Sequence, residues 1–112
     1  MRIEIETLDG GVVKVELAGR MDAQGTEAIE RKLMDCVGAH RSIILDMSAV
    51  DLLTSTGVRA LLLVAKAASR RGGKVALLGP DANVRKVLEI ANLDELIPIR
   101  QSLEEARRAV AV

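Results

Sequence analysis

Ile43-Ile44-Leu45 is the stretch that most narrows what this chain can become. Three apolar residues in succession leave no side for solvent, and the run suits a strand within Ser42 to Met47 that is buried on both faces. Strands and helices alternate around it. After Gly19-Arg20-Met21-Asp22, the residues Ala28, Ile29, Leu33, Met34 and Val37 recur at helical spacing, and Gly38 is expected to close that first helix. A loop is expected from Ser48 to Thr54. From Ser55 a second helix sets Val58, Leu61, Leu62 and Ala65 on one face and ends in Ser69-Arg70-Arg71 before Gly72-Gly73.

Lys74 to Leu78 reads as another strand, and Gly79-Pro80-Asp81 as a turn into a third helix through Val84, Val87, Leu88 and Ala91, with Asp81 as its cap. Leu96 to Ile99 is expected to form a last short strand. Ser102-Leu103-Glu104-Glu105 resembles a capping box that opens a final helix through Ala109. At the other end, Ile3 and Ile5 alternate with polar residues, Asp9-Gly10-Gly11 makes a turn, and Val13, Val15 and Leu17 alternate again, which predicts a hairpin. The expected fold is therefore α/β: a single domain over residues 1–112, with a mixed sheet that opens on an antiparallel hairpin and about four helices packed against it.

Charge and composition remove several functions. Sixteen basic and sixteen acidic residues cancel, and no Phe, Trp or Tyr is present, so both the basic field and the stacking platforms of a nucleic-acid binder are missing. Cys36 and His40 each stand alone, so no disulfide framework or Cys/His metal cluster assembles within one chain, and no metal or cofactor is expected. Cys36 reads as a small buried hydrophobe and His40 as a solvated turn residue. Met1-Arg2-Ile3-Glu4 has no apolar signal core, and no stretch approaches the roughly 18 apolar residues of a membrane span, so a cytoplasmic location is expected.

The chemistry concentrates in Thr54-Ser55-Thr56-Gly57, three hydroxyl residues and a glycine where a loop becomes a helix. A hydroxyl there can cap the helix, which accounts for one of the three. The free N–H groups and positive dipole end also accommodate a phosphoryl group on Ser55, and both readings stand. Gly57 in the first turn costs roughly 1 kcal/mol against alanine, which implies that something approaches the backbone closely. Ser55, Arg59, Leu63, Lys66 and Arg70 follow at helical steps on a second face. Leu63 with Ala60 and Ala67 gives that face an apolar strip, either a docking surface or ordinary solvated surface.

The run Ile43-Ile44-Leu45-Asp46-Met47-Ser48-Ala49-Val50, followed by Leu52-Leu53-Thr54-Ser55-Thr56-Gly57-Val58-Arg59-Ala60-Leu61-Leu62, resembles the signature of STAS-domain anti-sigma-factor antagonists. In that family a buried strand ends in Asp-apolar-Ser and the next helix opens with a hydroxyl pair before glycine. Leu17-Ala18-Gly19-Arg20-Met21-Asp22 and Gly72-Gly73-Lys74-Val75-Ala76-Leu77-Leu78-Gly79 extend the resemblance over essentially the whole chain.

The resemblance implies that Ser55 is the phosphoacceptor, with Thr56 and Thr54 as less favoured hydroxyls, and that Asp22 and Gly57 surround it. It implies a partner interface over Arg20, Met21, Thr56, Arg59, Ala60, Leu63 and Lys66. It also implies a cycle without catalytic residues in this chain: the unmodified domain binds an anti-sigma serine/threonine kinase and frees a sigma factor, phosphorylation ends the contact, and a PP2C-type phosphatase resets it. Thr54, where many members carry Asp, and Val58-Arg59, where Leu-Gly is common, depart from the pattern and bear on kinase recognition. A STAS subunit that scaffolds a transport or signalling complex without phosphorylation is the alternative, and an anion- or nucleotide-binding sensor ranks third, because no Walker A or dinucleotide fingerprint is present. A monomer or weak dimer is expected, with Leu63 as the contact.

Overall fold

A computed structural model describes residues 1–112. The order is β1 (Arg2–Thr7), β2 (Val12–Met21), α1 (Ala23–Ala39), β3 (Ser42–Leu53), α2 (Ser55–Arg70), β4 (Lys74–Leu78), α3 (Ala82–Ile90), β5 (Ile99–Arg100) and α4 (Leu103–Ala109). The five strands lie side by side in chain order, β1 antiparallel to β2 and the rest parallel. A sheet that always grows in one direction, joined by right-handed crossovers, must carry all its crossover helices on one face. Accordingly, Ile29 and Leu33 of α1, Leu61 and Val64 of α2 and Val84 and Leu88 of α3 share one core with Val13, Val15, Ile43 and Leu45.

After β5 no strand remains to be reached, and α4 turns onto the opposite face. There Ala106 and Val110 cover Val12, Ile44, Ala76 and Leu78 in a second, smaller core. Ile44 points toward α4 while Ile43 and Leu45 point toward α1–α3, and all three are fully buried. The apolar triplet thus has the two-sided cover that its sequence demanded.

Several boundaries differ from expectation. The expected loop from Ser48 is mostly strand, because β2 runs on to Met21 and offers Ala49, Val50, Leu52 and Leu53 pairing partners. β3 accommodates this with two register shifts, one opposite Glu16/Ala18 and one opposite Gly19/Arg20, each inserting an extra residue. α1 does not stop at Gly38; it runs through Ala39, where the ring Nδ1 of His40 meets the Cys36 carbonyl at 2.9 Å. His40 is therefore half-buried rather than solvated.

The last strand covers only Ile99–Arg100, since Pro98 has no N–H to pair and contributes its carbonyl to Leu77 at 2.8 Å. The buried face of α2 is Gly57, Ala60, Leu61, Val64 and Ala68, rotated from the expected one, because α1 packs on its flank. Asp81 caps α3 through Val84 N–H at 2.8 Å, and Ser102 caps α4 through Glu105 N–H at 3.2 Å, as expected. Cys36 is buried, and burial pushes its thiol pKa up, consistent with a packing role.

Candidate functional site

β2 and β3 are parallel neighbours, so the helices that follow them start side by side at the same end of the sheet. Asp22 precedes α1 and Thr54 precedes α2. The link between them is the Met21 carbonyl, which accepts the Thr54 N–H at 3.2 Å and the Thr54 hydroxyl at 2.7 Å. Two bonds to one carbonyl fix the start of α2 against the end of β2.

That arrangement decides what each hydroxyl does. Thr54 occupies the N-cap position, yet its side chain makes no capping bond because it is committed to Met21. The expectation that one hydroxyl caps this helix is therefore corrected: the first-turn N–H groups are left uncapped by any side chain. Ser55 and Thr56 are exposed at the first two helical positions. Ser55 stands where the helix dipole and free N–H groups favour an anion.

Gly57 is buried, and a Cβ there would lie 2.7 Å from Leu53 Cδ1 and 2.9 Å from both Met21 Cβ and the Met21 carbonyl oxygen. The close approach implied by this glycine is made by the chain's own β2 and β3 ends. Gly25 does the same from α1, where a Cβ would fall 1.9 Å from the Arg20 carbonyl oxygen. The end of β2 is held between two helix starts that approach closely only as glycine.

Asp22 does cap α1, its Oδ1 accepting the Gly25 N–H at 2.8 Å, while Oδ2 lies 3.4 Å from Arg20 Nε. The Gly25 N–H, with smaller help from Arg20, holds its carboxyl below the ordinary carboxylate pKa against an opposing effect of desolvation. A standing negative charge thus flanks the hydroxyl run. Arg59, one turn beyond Ser55, is exposed and forms no ion pair.

The interface expected from the sequence divides into two groups. Arg20, Thr56, Arg59, Leu63 and Lys66 are exposed, with Leu63 at 42%. Met21 and Ala60 are buried, Met21 completely, and are corrected to supports beneath that surface: one packs under Gly57, the other on the α1 side of α2. A groove of about 510 Å3 runs between α1 and α2, lined by Thr26, Glu27, Glu30, Thr56, Arg59 and Leu63. The Thr26 hydroxyl is buried beneath it without a hydrogen-bond partner in the protein.

Thr26, Glu27 and Glu30 were missed in the sequence. Their spacing marks a shared face of α1, but nothing local says that this face lies along α2. Asp51 was missed too; it joins Arg20, Asp22 and Gln24 around a second cleft, and it lies in the stretch expected to be loop.

A five-stranded sheet in this order, with three helices on one face and one on the other and paired helix starts at the hydroxyl run, defines a STAS domain. The chain belongs to the STAS domain family, whose model matches residues 2–106. It is 30% identical over 110 residues to BtrV of Bordetella bronchiseptica, a candidate anti-sigma factor antagonist, covering 97% of this chain and 94% of that one.

Among solved structures, an anti-sigma factor antagonist from Mycobacterium paratuberculosis superposes with a TM-score of 0.88 at 24% identity, over 97% of this chain and 92% of the other. The Bacillus anti-sigma factor antagonist SpoIIAA superposes in its unphosphorylated form at 0.79, with 23% identity over 96% of this chain and 95% of that one. Its phosphorylated form gives 0.73, with 24% identity over 96% and 98%. At these identities the structural likenesses are likenesses of fold. No helix is long and apolar enough to cross a membrane.

Proposed function

We propose that residues 1–112 act as a single cytoplasmic STAS switch, an anti-sigma-factor antagonist controlled by phosphorylation of Ser55. The observation that carries this reading is the diversion of the Thr54 hydroxyl to the Met21 carbonyl, which leaves Ser55 exposed at an uncapped helix start. The antagonist description of BtrV and the existence of SpoIIAA in unphosphorylated and phosphorylated forms support it.

In the unmodified state the exposed surface of Thr56, Arg59, Leu63 and Lys66, with Arg20 beside it, binds an anti-sigma serine/threonine kinase and so releases a sigma factor. The kinase transfers the γ-phosphoryl group of ATP to the Ser55 hydroxyl oxygen and the hydroxyl proton leaves to the kinase's own base. The product carries nearly two negative charges, which the N–H groups of the helix start can receive without unfolding the domain. A partner seated there then faces a bulky dianion next to the Asp22 carboxylate. Each tenfold loss of affinity needs only about 1.4 kcal/mol, so a few lost charge-sensitive contacts end the complex. A PP2C-type phosphatase resets the switch by hydrolysis, and no catalytic group of this chain takes part.

The test is phosphorylation by the cognate kinase with ATP, followed by site mapping and calorimetric titration of both forms against that kinase. One phosphate on Ser55, absent in Ser55→Ala and retained in Thr54→Val and Thr56→Val, together with at least tenfold weaker binding of the modified form, is the expected result. Modification at Thr56 instead, or equal affinity of both forms, overturns the assignment.

A further inference from the structure

β1 is an open edge of the sheet: it pairs with β2 on one side and with nothing on the other. All of its residues except Ile3 are exposed. Such a strand presents unpaired N–H and C=O groups, a template for another strand. The opposite edge, β5, is only two residues long and offers no comparable template.

Register with β2 sets which way β1 faces. Ile3 and Ile5 stand opposite Leu17 and Val15 on the face covered by α1–α3, and Arg2, Glu4 and Glu6 lie on the other face. Ile5 is 38% exposed at the rim, and none of Arg2, Glu4 or Glu6 has an ion-pair partner within the chain.

We propose that β1 pairs antiparallel with β1 of a second copy of this chain about a two-fold axis at Ile3, continuing the sheet across both molecules. Charge selects that register. Residues opposite one another in an antiparallel pair share a face and interact directly. With the axis at Ile3, Arg2 of each copy faces Glu4 of the other, Ile3 meets Ile3, and Met1 meets Ile5. An axis at Arg2 opposes two guanidinium groups, one at Glu4 opposes two carboxylates at its centre although Arg2 then faces Glu6 twice, and one at Ile5 sets Glu4 against Glu6 twice. Of these registers, only the axis at Ile3 gains opposite-charge pairs without setting like charges against each other, so the charges that guard this edge against indiscriminate pairing favour it.

Few cross-strand pairs hold this dimer, so it is weak and screened by salt. β2 separates the shared edge from β3 and the α2 start, so dimerisation leaves Ser55 uncovered and is independent of its phosphorylation.

Sedimentation equilibrium of the full chain over a wide concentration range, at low and high salt, tests it. The parent should self-associate with a dissociation constant that rises with salt. Arg2→Glu and Glu4→Arg should each weaken self-association at least about tenfold, because each leaves like charges opposed twice, with circular dichroism showing the fold intact. An equimolar mixture of the two variants should regain the dimer. A parent that stays monomeric throughout, variants that associate like the parent, a mixture that fails to recover, or a dimer abolished by Leu63→Asp but not by the charge changes each overturns the proposal.

Discussion

Two neighbouring hydroxyls, Thr54 and Ser55, have opposite fates because one carbonyl lies within reach of only the first. The same crowding around Met21 makes Gly57 obligatory. In an open helix Gly57→Ala would stabilise by about 1 kcal/mol, but here the new methyl meets backbone and side chain below 3.0 Å. We expect a net loss of about 1–3 kcal/mol, measured by urea unfolding. A stabilised variant would mean that the β2 end yields. Asp22 predicts a pH effect: its folded-state pKa is lowered, mainly by the Gly25 N–H, so its contribution is fully present above the ordinary carboxylate range. That contribution is lost as pH falls through this range and below it. Asp22→Asn keeps a capping oxygen without the titration, and its melting temperature should fall less steeply on the acid side than the parent's.

At the scale of an element, β3 carries the device that brings the site together. Asp46 Oδ1 accepts the Ser48 N–H at 3.0 Å and its hydroxyl at 2.7 Å, while Oδ2 lies 3.6 Å from Lys14 Nζ. These contacts sit on the first of the two bulges, where the strand was expected to give way to a loop from Ser48. The strand instead gains an extra residue, twists and continues to Leu53, which delivers Thr54 to Met21. Asp46→Ala removes the charged acceptor from a largely buried position and should cost about 2 kcal/mol in urea unfolding. Amide exchange should quicken from Val50 to Thr54, beyond the bulge, more than in β4; uniform change would deny Asp46 this local role.

For the whole molecule, the two faces of the sheet are unequally protected. Three helices cover one, whereas the seven-residue α4, joined only by Val110 and Leu8, covers the apolar part of the other. Ala106 is fully buried there, so Ala106→Glu places an unpaired carboxylate against Ile44 and Ala76 and should destabilise by more than about 3 kcal/mol. Leu63→Asp, on the exposed side of α2, should stay within about 0.5 kcal/mol of the parent. Thermal unfolding of both variants separates the core from the candidate docking surface; equal losses would mean that Leu63 belongs to the core.

The periodicities of the chain alone determined its hairpin, the alternation that follows, the doubly buried Ile43-Ile44-Leu45 and the caps at Asp81 and Ser102, because each is a relation among residues a few positions apart. The hydroxyl run and its outward stripe were legible for the same reason. Only the tertiary structure decided that Thr54 is the hydroxyl committed to the backbone, why Gly57 is glycine, that Met21 and Ala60 are hidden, and that Thr26, Glu27 and Glu30 line the groove beside α2. Each of these turns on a contact between β2, β3 and the two helix starts, segments distant in the chain that are aligned by sheet register and bulges, and no local pattern encodes that alignment.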